Sequence, residues 1–211
     1  MKEMNFKLHT KLQLGFTLVE LLIVISLLSA IALIVIAAIN PIEQANRARD
    51  ARFKADSSQL LSAVERYFAA KSEFPWTTYD VAQGGSSVTS ETELAFVTAG
   101  DPTVGLCGDA GCTTTGTLVA ADELKNEFAN RDFVKATTVD KKIFLGKGQG
   151  SSSSVYACFI PLSKSVRKQA VKDLKVRTLS FSSTGSPEST AACDADNADW
   201  TTIGCYVCIP D

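Results

Sequence analysis

Hydrophobic and polar residues divide this chain into three regimes. From Phe16 to Ile39 nearly every residue is apolar, and Glu20 is the single charge. As a helix the twenty-four residues of this run extend about 36 Å. A bilayer core is about 30 Å thick, so the run predicts a membrane-spanning helix with room for tilt. From Ile42 the pattern becomes amphipathic: Phe53, Leu60, Leu61, Val64, Tyr67 and Phe68 recur at spacings that fit one helical face. That face is expected to cover a globular domain. Between the two regimes, Asn40-Pro41 predicts a kink or local loosening, because an interior proline removes a helical hydrogen bond and crowds the preceding turn. The other face of the second helix carries Glu43, Arg47, Arg49, Asp50, Arg52, Lys54 and Asp56, a run of mixed sign that predicts a solvated surface.

Phe74-Pro75-Trp76 is expected to end the long helix. The stretch up to about Thr117 is rich in Gly, Ser and Thr (Gln83-Gly84-Gly85-Ser86-Ser87, Thr113-Thr114-Thr115-Gly116) and predicts surface loop with short elements. A short helix is expected at 120–131 on the Leu124/Phe128 spacing, and a further one over Leu162–Leu174. Strands are expected at Lys142–Gly146, Val155–Ile160, Thr178–Ser183 and Cys205–Ile209, with the Gly148–Ser154 turn joining the first two as a hairpin. The fold class is therefore α+β: a long N-terminal helix, membrane-spanning in its first half and amphipathic in its second, laid across a small antiparallel β-sheet.

With 211 residues, 45% of them hydrophobic, the chain has material for an anchor plus one real core. Its 21 Lys and Arg against 23 Asp and Glu leave −2, which argues against nucleic acid as a partner, since phosphate neutralisation needs a basic excess. All six cysteines, Cys107, Cys112, Cys158, Cys193, Cys205 and Cys208, lie beyond the apolar run and favour an oxidising compartment. Cys107 and Cys112 close a short loop, whereas Cys205 and Cys208, three apart on a strand, face opposite sides of the sheet and take different partners. The pairing expected is Cys107–Cys112, Cys193–Cys205 and Cys158–Cys208, one of fifteen arrangements. Cys205-x-x-Cys208 also has zinc-ligand spacing, but there is no second such pair and the one histidine is His9. With no histidine beyond His9, Ser-His and Cys-His catalytic arrangements are excluded from the rest of the chain, and no enzyme is expected.

The first fifteen residues carry Lys2, Lys7 and Lys11 against Glu3, and the apolar run begins directly after Gly15. A secretory signal has a shorter apolar stretch followed by a small-residue cleavage site, so the order here is inverted. Positive flanks stay cytoplasmic, which places the remainder outside. Gly15 presents a backbone with no side chain to obstruct a protease cleft. A carboxylate in an apolar run is costly and calls for a partner, and Glu20 stands one helical turn from Phe16.

The junction Lys11-Leu-Gln-Leu-Gly15-Phe16-Thr17-Leu18-Val19-Glu20 resembles the class III leader of type IV pilins and type II secretion pseudopilins. All parts of that pattern are in register: a short charged leader ending in Gly, an aromatic first mature residue, Glu at the fifth mature position, and about twenty apolar residues beyond. The likeness extends through Asn40-Pro41-Ile42-Glu43-Gln44, Tyr67-Phe68 and Phe74-Pro75, which are similar to major pseudopilins, and so covers about residues 8–76. The family often carries its helix-breaking proline a few residues earlier, where this chain has Ala37.

The resemblance implies a pilin-like fold divided into a cleaved leader (1–15), a transmembrane and polymerisation half-helix (16–39), an amphipathic half-helix (40–74) and a disulfide-bonded globular head (75–211). It further implies cleavage between Gly15 and Phe16 by a prepilin peptidase that also methylates the Phe16 amine, and assembly through Glu20 of one subunit meeting the Phe16 amine of a neighbour. The implied partners are that peptidase, further copies and other pilin-like subunits, an inner-membrane assembly platform with its ATPase, and membrane lipid. The charge run from Glu43 to Asp56 is then also a source of salt bridges between subunits. Major pseudopilins are known for a calcium loop near the C-terminus, which makes Ca²⁺ the one candidate cofactor, at Asp194, Asp196 and Asp199; the alternative is a solvated acidic loop. The expected role is a structural subunit of a pilus or secretion pseudopilus, held in the inner membrane before assembly. The competing role is a single-span adhesin or ligand-binding protein that never polymerises.

Overall fold

The computed structural model describes residues 15–38, 40–85, 88–89, 92–150, 152–196 and 199–210, and the chain divides into two compact units, residues 1–41 and 42–211. Of the expected leader (1–15), all but Gly15 lies outside the described residues.

Leucine, alanine and β-branched aliphatic residues fill most of helix α1 (Leu18–Ala38), and every side chain described in it is exposed. Its window Leu18–Ile36 is long and apolar enough to cross a membrane. The hydroxyls within it turn back on the helix: Ser26 donates to the Ile23 carbonyl at 2.8 Å and Ser29 to that of Ile25 at 2.7 Å. Such internal bonds are what polar groups need where water is absent. Regular helix stops at Ala38 and resumes at Pro41, which opens α2 (Pro41–Lys71). The expected interruption is thus a boundary between two helices. Proline suits a first helical position because its φ is preset and its missing N–H would have no partner there.

Helix α2 buries Phe53, Leu60, Leu61, Ala63, Val64 and Tyr67 on one face, as the periodicity predicts, with Phe68 partly buried beside them. Asp50 and Ser57 are buried on the same face. The helix ends at Lys71, where Ser72 takes a left-handed conformation (φ 58°). Phe74-Pro75-Trp76 does more than terminate it. Pro75 starts a second short helix, α3 (Pro75–Ala82), and the Phe74 ring stacks between Phe68 at 4.3 Å and Trp76 at 4.4 Å. The same property that ends one helix begins the next.

The remaining elements are β1 (Leu94–Thr98), α4 (Thr117–Ala120), α5 (Asp132–Lys135), β2 (Ile143–Lys147), β3 (Val155–Phe159), α6 (Lys164–Lys172), β4 (Val176–Phe181), β5 (Pro187–Ser189), α7 (Trp200–Ile203) and β6 (Tyr206–Ile209). The strands form one antiparallel sheet in the order β1-β2-β3-β6-β4-β5, so the last strand of the chain lies in its interior. β1 and β4 are first and fifth in that order, yet their Phe96 and Phe181 rings stack at 4.6 Å, so the sheet curls. Four strands were expected, and β1 and β5 are additions. The helix expected at 120–131 is replaced by α4 and a 3₁₀ turn at Asn126–Asn130, though Leu124 and Phe128 are buried as their spacing suggests.

Inward-facing Ile143, Leu145, Ala157 and Phe159 pack with Phe53, Leu60 and Val64 of α2 into the main core. A second cluster gathers Cys158, Cys208, Tyr206, Trp200 and Ala170. Three disulfides close the head: Cys107–Cys112, Cys158–Cys208 and Cys193–Cys205.

Candidate functional site

Two places carry the chemistry that the sequence singles out, the start of α1 and the charged run of α2. At the first, a Cβ built on Gly15 meets nothing within 4 Å, and Phe16 is 81% exposed. Both residues are open to another protein. Thr17 is the residue that sequence reasoning passed over. Its Oγ1 accepts from the Glu20 backbone N–H at 3.2 Å, and its hydroxyl donates to Glu20 Oε2 at 3.5 Å. Thr17-Leu-Val-Glu20 is thus a helix-start signature of the S/T-x-x-E kind, and the spacing alone could have revealed it. Glu20 sits in the first turn, where the positive end of the helix dipole favours a carboxylate and where removal from water is less costly than at mid-membrane.

The acidic stretch near the C-terminus does not converge. Asp194 accepts the Asp196 N–H at 3.2 Å, Asp196 faces Lys168 at 3.4 Å on the exposed surface, and Asp199 caps α7 by accepting from the N–H and hydroxyl of Thr202. Asn197 lies outside the described residues. Among the described residues no three acid, Cys or His side chains are grouped to hold a metal ion. The described cysteines are all in disulfides, which leaves no thiolate for zinc.

The run from Glu43 to Asp56 departs most from expectation. Glu43 accepts from the Ser163 hydroxyl at 2.6 Å and from the N–H groups of Lys164 and Ser165 at 3.1 Å each. Asp50, two turns on and on the same face, accepts from Leu162 N–H at 3.1 Å and Ser163 N–H at 2.9 Å. Arg49 bonds Asp50 and the Ile160 carbonyl at 3.0 Å each, and also the Asp140 carbonyl. Further along, Asp56 pairs with Arg131. These acids are therefore neither a solvated face nor free for neighbouring subunits. They hold the head of their own chain. For Glu43 and Asp50 the reason lies at the start of α6: the first N–H groups of that helix have no partners within it, and its N-terminal dipole attracts anions.

Hydrogen bonding from Ser163 lowers the Glu43 carboxyl from its ordinary value near 4.5 to about 2, with the Ser165 and Lys164 N–H groups adding to it against partial burial. The unfolded chain therefore takes up this proton before the folded one does. Glu43's contribution to stability is present above pH 4.5 and is lost as the pH falls through 2. Burial moves Asp50 the opposite way, above its ordinary value, despite its N–H donors and Arg49. Asp50 thus does not add to acid sensitivity in that window. A Glu43→Gln variant is expected to show a flatter acid limb, measured as the urea midpoint between pH 5 and pH 2. An unchanged limb would remove Glu43 as its source.

Two further residues escaped sequence reasoning. Lys147 is fully buried, and its ammonium donates to the carbonyls of Gly148 at 3.0 Å and Gly150 at 2.5 Å. Asp109 organises the Cys107–Cys112 loop, accepting from the Gly111, Thr113 and Thr114 N–H groups at 2.9, 2.9 and 3.0 Å. Bonds from Thr113 foremost hold its carboxyl well below the usual range.

Residues 10–36 match the family described as the prokaryotic N-terminal methylation motif. No curated protein and no solved structure matches the chain. With a class III leader, an apolar helix directly after it and a disulfide-bonded α+β head, this is a prepilin-like protein. Its likeness is to type IV pilins and pseudopilins, proteins that are typically non-enzymatic, and its leader implies processing by a prepilin peptidase. The matched stretch ends inside α1, so it speaks for the anchor and not for the head.

Proposed function

We propose that the chain is a structural subunit of a type IV pilus or pilus-like secretion filament, anchored by α1 in the inner membrane with its head outside. In this reading the peptidase cuts between Gly15 and Phe16, methylates the Phe16 amine, and an inner-membrane platform with its ATPase assembles the subunits. The observation that carries it is the matched motif, in which Glu20 is the single charge of an apolar helix whose described side chains all lie exposed. Such a helix needs a cover once it leaves lipid, and other copies of α1 supply one. The amine created at Phe16 would neutralise Glu20 of a neighbour, removing two charges that are costly in an apolar bundle. Three disulfides in the head support an oxidising location for it.

Replacing Gly15 with Leu is expected to leave the precursor uncut, visible as a slower band and an unmethylated N-terminus. Normal maturation of that variant would reject the cleavage assignment. Glu20→Val is expected to be cut and membrane-bound yet absent from sheared filaments. If Glu20→Val and the unaltered chain yield filaments equally, Glu20 has no assembly role. If the unaltered chain yields none with its assembly system present, it is a non-polymerising anchored protein.

A further inference from the structure

Two of the bridges are nested. Cys193–Cys205 lies wholly inside the loop that Cys158–Cys208 closes, so two other cysteines separate Cys158 from its partner along the chain. Cys107–Cys112, by contrast, joins consecutive cysteines. Four cysteines allow three pairings, and for Cys158, Cys193, Cys205 and Cys208 the one in chain order is Cys158–Cys193 with Cys205–Cys208. Both of its loops are shorter than the native ones, which span 50 and 12 residues. Loop-closure entropy favours the chain-order isomer before folding, on the order of tenfold for two loops shortened so far. Strand order adds to the bias. The edge of β3 that carries Cys158 is covered by β6, the last strand of the chain. Cys158 therefore waits while Cys193 crosses the membrane ahead of Cys205 and Cys208.

The chain-order isomer does not fit the fold. Residues three apart on an extended strand have Cα atoms about 10 Å apart, and a disulfide spans at most about 7 Å. A Cys205–Cys208 bridge thus prevents β6 from extending, and without β6 nothing joins β1-β2-β3 to β4-β5. In the native head the sulfurs are shut away: Cys158 and Cys205 are fully buried, and Cys193 and Cys208 nearly so. Exchange must therefore come before the sheet closes.

We propose that the head is a substrate of a disulfide isomerase, a protein whose dithiol is kept reduced in the oxidising compartment. The inference rests on the head lying outside the membrane, as proposed above, and holds whether or not the chain polymerises. A disulfide-donating oxidase of that compartment first installs the chain-order bridges. The isomerase thiolate then attacks Cys208, converting Cys205–Cys208 into a mixed disulfide and a Cys205 thiolate. The Cys205 thiolate attacks Cys193, which forms Cys193–Cys205 and releases the Cys158 thiolate. That thiolate attacks Cys208 in the mixed disulfide, forming Cys158–Cys208 and returning the isomerase thiolate. Within the chain two bridges are lost and two are gained, so the exchange consumes no oxidant or reductant. Burial of the products ends it.

The test uses the full chain expressed in isogenic bacteria with and without the disulfide isomerase of the cell envelope. Thiols are alkylated at harvest, and the unfolded chain is cut with chymotrypsin, which cleaves after Trp200 and Tyr206 and so parts Cys193, Cys205 and Cys208. Mass spectrometry then identifies the linked peptides. Loss of the isomerase should lower the Cys158–Cys208 linkage about tenfold, the bias set by loop closure, and raise Cys158–Cys193 in its place. Returning the isomerase should reverse this, whereas returning it with its catalytic cysteines changed to serine should not, which separates thiol exchange from chaperoning. In a chain with Cys193→Ser and Cys205→Ser, Cys158 and Cys208 become consecutive cysteines. That chain should form their bridge equally in both strains. Equal Cys158–Cys208 linkage of the unaltered chain in both strains would overturn the inference and leave the head's location standing. Isomerase dependence that persists without Cys193 and Cys205 would overturn it too, because nesting would not be its cause. All six cysteines alkylated as free thiols in both strains would remove the outside location and the inference together.

Discussion

Asp50→Ala is expected to destabilise the head by about 3–5 kcal/mol, the usual cost of breaking a buried ion pair from one side. Asp50 is 3% exposed and accepts from two backbone N–H groups and from Arg49. Alanine would leave both N–H groups without their acceptor and would deprive the partly buried Arg49 of its carboxylate. Asp50→Asn, which keeps an acceptor of the same shape, should cost less. Surface charge changes typically lie within about 0.5 kcal/mol, so the two views of this run differ several-fold. Urea unfolding of the detergent-solubilised chain decides it, read from Trp76 and Trp200, which are both buried. A loss below about 1 kcal/mol for Asp50→Ala would show that Asp50 does not fasten the head to α2.

Removing the Cys158–Cys208 bridge should have a comparable effect, for a topological reason. Its cysteines are 50 residues apart, against 12 for Cys193–Cys205 and 5 for Cys107–Cys112. The loop-entropy relation then gives losses of about 4, 3 and 2 kcal/mol for the respective double Cys→Ser variants. Cys158 and Cys208 face each other on β3 and β6, and β6 is the strand that joins β1-β2-β3 to β4-β5. Freeing it should expose β4 and β5 to protease before the rest of the head. Ranking the three variants by urea midpoint, together with the first cleavage sites in limited proteolysis, checks both statements. A Cys158/Cys208 variant at least as stable as the Cys107/Cys112 variant would contradict them.

Where a property depends on neighbours along the chain, the residues showed it in advance. The anchor helix, the buried stripe Phe53, Leu60, Leu61, Val64 and Tyr67, and the central strands all follow from helical or alternating periods. The three disulfide partnerships rest partly on such a local rule, since Cys205 and Cys208 must face opposite sides of one strand. β1 and β5 were not legible for the same reason. β1 is five residues within a Gly-, Ser- and Thr-rich stretch, β5 is three, and each is a strand only because the sheet offers it an edge.

By itself, then, the sequence determined that this chain carries an N-terminal methylation motif over residues 10–36, an apolar helix carrying Glu20, and a helical stem under an antiparallel head. Covalent order and hydrophobic period are enough for that, because both are written in adjacent residues. Only the tertiary structure decided what the charges do. Glu43 and Asp50 are partnered by residues more than a hundred positions away, at the start of α6, and a carboxylate's partner at that distance leaves no trace in local pattern. That long-range pairing is what turned a run of mixed sign into acids fastened inward.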